Sequence, residues 1–342
     1  MAQRRTRGSI PRHTPARPFA ATALIAALLL SSASALAQSA AALRADTLGR
    51  RTPTVEMDAT AAAVVDPSGP GERMGWLDYR ADLALPLWQR PEQGDLTLNL
   101  SARHVALDTD AVLPDTGGDF PGDLYDLRVG LSARRAVDSG MVGLGLGLGS
   151  ASDRPFDTAD EIAWRAGAFW LLDPDEVSSW LFSLYYDSDG PFGGVPLPGV
   201  AWRYNPDQAF RLTLGAPFSM VYWRPLETWD FTVAASAPLE ASARARWWIN
   251  RRLALYGGYK IGGDSFLRHD RLNEDDRLSY FGQQTHLGLR WDLGDHVGLD
   301  LRGGWAFQRY WYEGESFFSD RHDNRIDLAD GPFAALSLNL SF

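Results

Sequence analysis

Apolar and polar residues alternate with a period of two over most of this chain. That pattern limits the fold more than any other feature, because a helix needs a period near 3.6. In residues 124–135, Tyr125, Leu127, Val129, Leu131 and Ala133 share one face, and Asp126, Arg128, Gly130, Ser132 and Arg134 share the other. Residues 94–103, 140–150, 285–291 and 297–302 repeat the pattern. The predicted strands are 54–65, 76–87, 94–107, 124–135, 140–150, 160–172, 179–187, 198–205, 208–223, 228–248, 252–262, 278–292, 296–308 and 332–342. Many exceed the 5–6 residues usual in soluble sheets and match the 9–11 needed to cross a membrane.

The two faces differ in a way that a soluble sandwich does not explain. The polar face carries Arg80, Arg103, Arg128, Arg165, Arg203, Arg211, Arg244, Arg246, Arg290 and Arg302, which need water or partners in a lumen. Tyr125, Trp164, Trp170, Trp180, Tyr186, Trp202, Tyr204, Tyr222, Trp229, Trp247, Trp291 and Trp305 stand near the ends of the apolar stripes, as interfacial girdles require. The chain ends on Phe342 after Leu336, Leu338 and Leu340 at alternate positions, which resembles the signature read by the barrel-assembly machinery of bacterial outer membranes. A mean hydropathy of -0.23 suits such a barrel, since each apolar strand residue is followed by a polar one. The expected fold is an all-β transmembrane antiparallel up-and-down barrel of 14 strands. Splitting 208–223 at Gly215-Ala216-Pro217 and 228–248 at Pro238 gives 16 as the alternative. Fourteen is preferred because apolar phase runs unbroken through both points and the split pieces would be short for a membrane. Short turns at 205–208, 250–252 and 294–295 belong on the periplasmic side. Long loops at 108–123, 151–160, 188–197, 263–277 and 309–331 belong outside.

Residues 1–37 read as a secretory signal peptide: Arg4, Arg5, Arg7, Arg12 and Arg17, an apolar run from Phe19 to Leu30, and the Ala35-Leu36-Ala37 cleavage site. Residues 38–53 read as a short periplasmic tail and 54–342 as the barrel. Removing the five leader arginines moves the formal net charge from -10 to -15, which argues against nucleic acid as a partner. The chain has no Cys, so thiolate metal sites and Cys nucleophiles are excluded.

Residues 198–225 contain Pro198-Gly199-Val200, Arg203-Tyr204-Asn205-Pro206, Leu212-Thr213-Leu214-Gly215-Ala216-Pro217-Phe218 and Tyr222-Trp223-Arg224-Pro225. This resembles an uncharacterised family of Gram-negative outer-membrane β-barrel proteins with a P-G-V, R-Y-x-P, L-x-L-G-x-P-F, Y-x-R-P pattern. The resemblance implies fold and location, and no activity.

The main functional candidates are lumen charges: Arg128, Arg134, Arg165, Arg244, Arg246, Arg290 and Arg302 with Asp126, Glu161, Glu240 and Asp300. Facing rows of these charges would either set a field across a pore or fill a closed lumen with ion pairs. Phe342, Leu340 and Leu338 are the assembly signal. Acidic loops (Asp108, Asp110, Asp115, Asp119, Asp123; Asp264, Asp270, Glu274, Asp275, Asp276; Glu313, Glu315, Asp320, Asp323, Asp327, Asp330) suit divalent cations bridging to lipopolysaccharide at the lipid surface. Gly263-Asp264-Ser265-Phe266-Leu267 weakly resembles the nucleophile block of GDSL-type esterases, and His286 with Ser279 is a possible hydrolase pair. The five histidines beyond residue 37, His104, His269, His286, His296 and His322, lack zinc-ligand spacing. No catalytic residue, metal or cofactor is expected. A passive porin-like conduit is the first reading, a surface-interaction barrel the second and a lipid hydrolase the third.

Overall fold

The structure is a computed structural model that describes residues 52–63, 71–90, 92–113, 117–173, 175–190, 194–237, 240–315 and 324–342. The segment read as a leader and most of the tail lie outside these residues. Seventeen strand segments form one closed antiparallel sheet. They are β1 (Thr54–Ala62), β2 (Met74–Arg90), β3 (Gly94–Thr109), β4 (Asp123–Val137), β5 (Gly140–Ser152), β6 (Ala163–Leu172), β7 (Ser178–Asp187), β8 (Leu197–Tyr204), β9 (Phe210–Ala216), β10 (Phe218–Leu226), β11 (Trp229–Ser236), β12 (Glu240–Trp248), β13 (Leu253–Phe266), β14 (Arg277–Asp292), β15 (Val297–Gly314), β16 (Arg325–Leu328) and β17 (Gly331–Ser341). β16 and β17 are two pieces of one strand along β15, interrupted at Ala329-Asp330. The wall therefore has sixteen strands, closed where β17 pairs with β1.

The expected count of 14 is corrected to 16, and each missed corner has a physical reason. The β11–β12 register pairs Trp229 with Trp247 and Ala235 with Ala241, leaving three residues between the strands. An odd connection returns the chain in the same phase, so Trp229, Phe231, Val233, Ala241, Ala243 and Ala245 all face outward without a break in the pattern. At β9–β10 the phase does switch. Leu212 and Leu214 face outward, whereas Phe218, Met220 and Tyr222 face the lumen. β10 is apolar on both faces, with Val221 and Trp223 outside, so the switch leaves no mark. Tyr222 is therefore not a girdle residue.

Outward residues form an apolar belt with Leu77, Leu100, Leu131, Leu144, Leu146, Leu184, Val233, Leu287 and Leu301 exposed. Trp88, Trp170, Trp180, Trp223, Trp229, Trp247 and Trp291 ring the belt near the short turns. Tyr79, Tyr125, Trp164 and Trp305 mark its other edge, with Tyr79, His104 and Tyr125 stacked in sequence. From Tyr79 to Trp88 is nine residues, roughly 30 Å of strand, or about 21–25 Å of height at the usual tilt. Three of the short turns share one device. Asp175, Asp207 and Asn250 each accept two backbone N–H groups from the start of the next strand. At Asp175 these bonds and the Ser178 hydroxyl hold the carboxyl below its ordinary range.

The wall is uneven. β2, β3, β14 and β15 have 16 to 18 residues. β8 to β12 have only 7 to 9. Above the low strands, the tall ones meet across the barrel. Ser152 at the end of β5 bridges Leu267 after β13 in parallel, with Leu267 N donating to Ala151 O at 2.7 Å. Glu72 before β2 bridges Leu328 of β16 in parallel. The loop end of the sixteen-stranded barrel thus narrows to a closed ring of eight: β2, β3, β4, β5, β13, β14, β15 and β16. In this otherwise Cys-free chain, Ser152→Cys with Leu267→Cys should form a disulfide under mild oxidation, seen as a reduction-sensitive mobility shift of the boiled protein. Failure to cross-link in the folded barrel would refute the β5–β13 seam.

Candidate functional site: a charged lumen beneath an apolar cap

The interior of the eight-stranded ring is dry. Met74, Val105, Leu124, Ala151, Phe266, Leu278, Trp311, Ile326 and Leu328 point inward from the strands. Ala111, Leu113 and Phe120 fold in from the β3–β4 connection. Leu113 is 1% exposed and Leu124 0%. Above this core, Arg268 and Glu313 form a buried two-bond ion pair at 2.7 and 3.0 Å. Below it, Arg103 reaches both Asp78 and Asp264 at 2.8 Å. Sequence reasoning missed this cap, although its signal was there. On β2 the inward stripe runs Arg80, Asp78, Trp76, Met74, and on β3 it runs Arg103, Val105, Leu107: polar within the belt, apolar beyond it.

Beneath the cap the lumen widens into a chamber of about 1060 Å³, lined by Arg80, Asp82, Arg128, Arg165 and Tyr185 and reaching Arg252, Asp292 and His296 at the short-turn end. It also touches Leu197 and Pro217 on the low part of the wall. Most of the candidate arginines are neutralised where they stand. Arg128 meets Asp126, Arg134 meets Asp95 at 2.6 Å, Arg165 meets Asp187 at 2.9 Å, Arg246 meets Asp230 at 3.8 Å and Arg290 meets Asp292 at 3.0 Å. Asp300 accepts from the Tyr256 hydroxyl at 2.5 Å. Arg302 makes neither a hydrogen bond nor an ion pair among the described residues, and its Nε is buried. Arg244 lies 5.9 Å from the Tyr256 ring. Glu240 faces the lumen on β12, diagonal to Lys260. The inward glycines of β5 leave room for neighbours, with the Phe169 ring lying over Gly143.

Several expected placements change. Glu161 is not on a wall strand. It sits in a 3-10 turn, Ala159–Glu161, where its carboxylate accepts from Asp157 N. The strand begins only at Ala163, because the tight turn consumes the residues before it. Asp264 and Glu313, read as loop acids, are the buried or lumenal partners of Arg103 and Arg268. Ser265 bonds Ser279 at 2.9 Å on the outer face of the wall, whereas His286 points inward from β14. The structure does not bring these serines and this histidine together. His269, Asp153 and Asp270 cluster at the β5–β13 seam, where His269 Nδ1 lies 2.6 Å from Asp153. Asp115, Asp320, Asp323 and His322 lie outside the described residues. Leu338, Leu340 and Phe342 share the outward face of the last strand, and Phe342 is exposed.

No family's sequence profile matches the chain, and no curated protein matches it. Among solved structures it is similar to the Acinetobacter baumannii outer membrane protein Omp33, at 7% identity over 85% of this chain and 98% of that one, with a TM-score of 0.39. It is also similar to an outer membrane channel from Pseudomonas putida F1, at 11% identity over 87% and 98%, with a TM-score of 0.36. The P. putida toluene transporter TodX is similar at 8% identity over 86% and 91%, with a TM-score of 0.37. No activity passes to this chain from them.

The Arg134–Asp95 pair offers a test of how the lumen is built, since both side chains are at most 5% exposed. Arg134→Met alone leaves Asp95 buried without its cation and should cost about 3–5 kcal/mol in denaturant unfolding from detergent micelles. The double variant Arg134→Met with Asp95→Leu should recover most of that loss. Equal losses in the single and double variants would show that the pair is not an isolated unit.

Proposed function

We propose that this chain is an outer-membrane β-barrel of Gram-negative type that acts as a porin-like conduit for small polar or charged solutes. The observation that carries this reading is the charged chamber of about 1060 Å³, which reaches the short-turn end beneath a belt of outward apolar residues. Such a chamber holds water, because its paired arginines and carboxylates keep polar atoms facing inward. In this conformation the conduit is closed at the loop end by the apolar cap, so conduction requires the cap to loosen. Export by the residue 1–37 leader, recognition of Phe342, Leu340 and Leu338 by the assembly machinery, and divalent-cation contacts from the loops to lipopolysaccharide belong to the same proposal.

The dry cap also favours a second reading, a barrel that works through its loop-end surface without conducting. Planar-bilayer recordings separate the two. The wild-type protein should open rarely. Leu113→Asp and Phe120→Asp place an unpaired charge in the cap core, which costs several kcal/mol there, and should raise the open fraction at least tenfold. Silence of both wild type and cap variants in long recordings would overturn the conduit reading and leave the surface reading.

A further inference from the structure

Arg302 stands apart from most of the lumen arginines. Arg80, Arg103, Arg128, Arg134, Arg165, Arg246 and Arg290 each lie within 4 Å of a carboxylate. Among the described residues Arg302 has no such contact, and its Nε is buried without an acceptor; Arg128, Arg246 and Arg309 also bury an unpaired Nε but keep another partner, Asp126, Asp230 and Ala329 O respectively. A buried guanidinium nitrogen left unpaired is costly, so its position calls for an acceptor. Asp300, two residues away on the same face of the strand, is already engaged by Tyr256.

The surroundings of Arg302 favour an anion. His286, on the neighbouring strand, also has a buried ring nitrogen, Nδ1, without a partner. Arg302, Arg244 and Lys260 all act on His286 as nearby cations, with Asp300 opposing them. Two glycines make this crowding possible. A Cβ at Gly258 would lie 2.5 Å from His286 Nε2, and one at Gly288 would lie 2.2 Å from the Tyr256 ring, so both rings lie flat against the wall. Arg302 and Lys260 line a cavity of about 160 Å³ directly under the cap. Gln284 and Thr60 add neutral polar groups to its wall. The acids that also line it, Asp78 and Asp264, are both held by Arg103.

We propose that this cavity, formed by Arg302 and Lys260 with His286 and Arg244 beside it, binds a small oxyanion of phosphate or sulfate size in the lumen. The anion accepts from the Arg302 guanidinium and is neutralised by Lys260, as charge-assisted hydrogen bonds to phosphate require. Its size and the cap above exclude a lipid headgroup with its chains attached. The proposal rests on the conduit reading only for how the anion arrives.

The test is calorimetric titration of the full refolded chain in detergent with inorganic phosphate. Wild type should bind with a Kd of about 1 mM or tighter. Arg302→Gln should weaken binding tenfold or more and Lys260→Gln by a smaller factor, while Arg302→Lys should retain part of it. Arg325→Gln, on the outward face of β16, should bind as wild type does. Heat-dependent gel mobility reports that each variant has folded. Absence of phosphate binding by wild type, or equal affinity in folded Arg302→Gln, would overturn the site. A barrel that binds phosphate yet never conducts overturns the conduit and leaves the site standing. A barrel that conducts without binding phosphate overturns the site alone.

Discussion

Every strand in this molecule needs two hydrogen-bonded neighbours, and the architecture follows from that. An unpaired strand edge exposes a row of N–H and C=O groups, which is costly in water and prohibitive in lipid. The wall meets the need at belt height by closing β17 onto β1. The low strands β6 to β12 then create a second problem. Where they stop, the upper ends of β5 and β13 lose their partners. They solve it by pairing with each other through Ser152 and Leu267. β2 and β16 do the same above the end of β1 through Glu72 and Leu328. Two parallel seams reduce sixteen strands to eight, and a ring of eight is just wide enough for side chains to fill it. The apolar cap is thus a consequence of uneven strand lengths.

This dependence explains what the sequence revealed and what it hid. Period-two alternation is local, so the barrel, its two faces and most lumen arginines were legible from residues such as Leu127 against Arg128. Strand counting is less local. It failed at Ala235–Ala241, where an odd connection preserves phase, and at Phe218–Tyr222, where both faces are apolar. Pairings depend on long-range geometry. Nothing near Asp264 in the chain announces Arg103, 161 residues away. Nor does the sequence around Glu313 announce Arg268. The cap lay between these cases. Its residues share the inward phase of the lumen charges, and the change from Asp78 to Trp76 and Met74 is visible once that phase is followed past the girdle.

The lumen electrostatics are mostly short-range. Partners two residues apart on one strand, such as Arg80 with Asp82 and Arg290 with Asp292, point the same way by the pleat alone. Others pair across adjacent strands in direct register, as Arg134 does with Asp95 and Arg165 with Asp187. Such pairs contribute little stability when wet and cost much when one partner is removed from a dry site. Their value is in fixing which side chains occupy the interior. Against that neutralised background, an arginine with no partner among the described residues carries more meaning than a count of arginines.

The low wall has a further consequence for the surrounding lipid. Seven residues of β9 rise only about 23 Å along the strand and less along the barrel axis. The girdle on β6 spans six residues, from Trp164 to Trp170, against nine on β2. A membrane enclosing this barrel meets a thinner apolar belt on one flank than on the other. It must compress locally beside β8 to β12, or the whole barrel must lean toward that side. In either case the two flanks of the barrel would not be equivalent to a surrounding membrane.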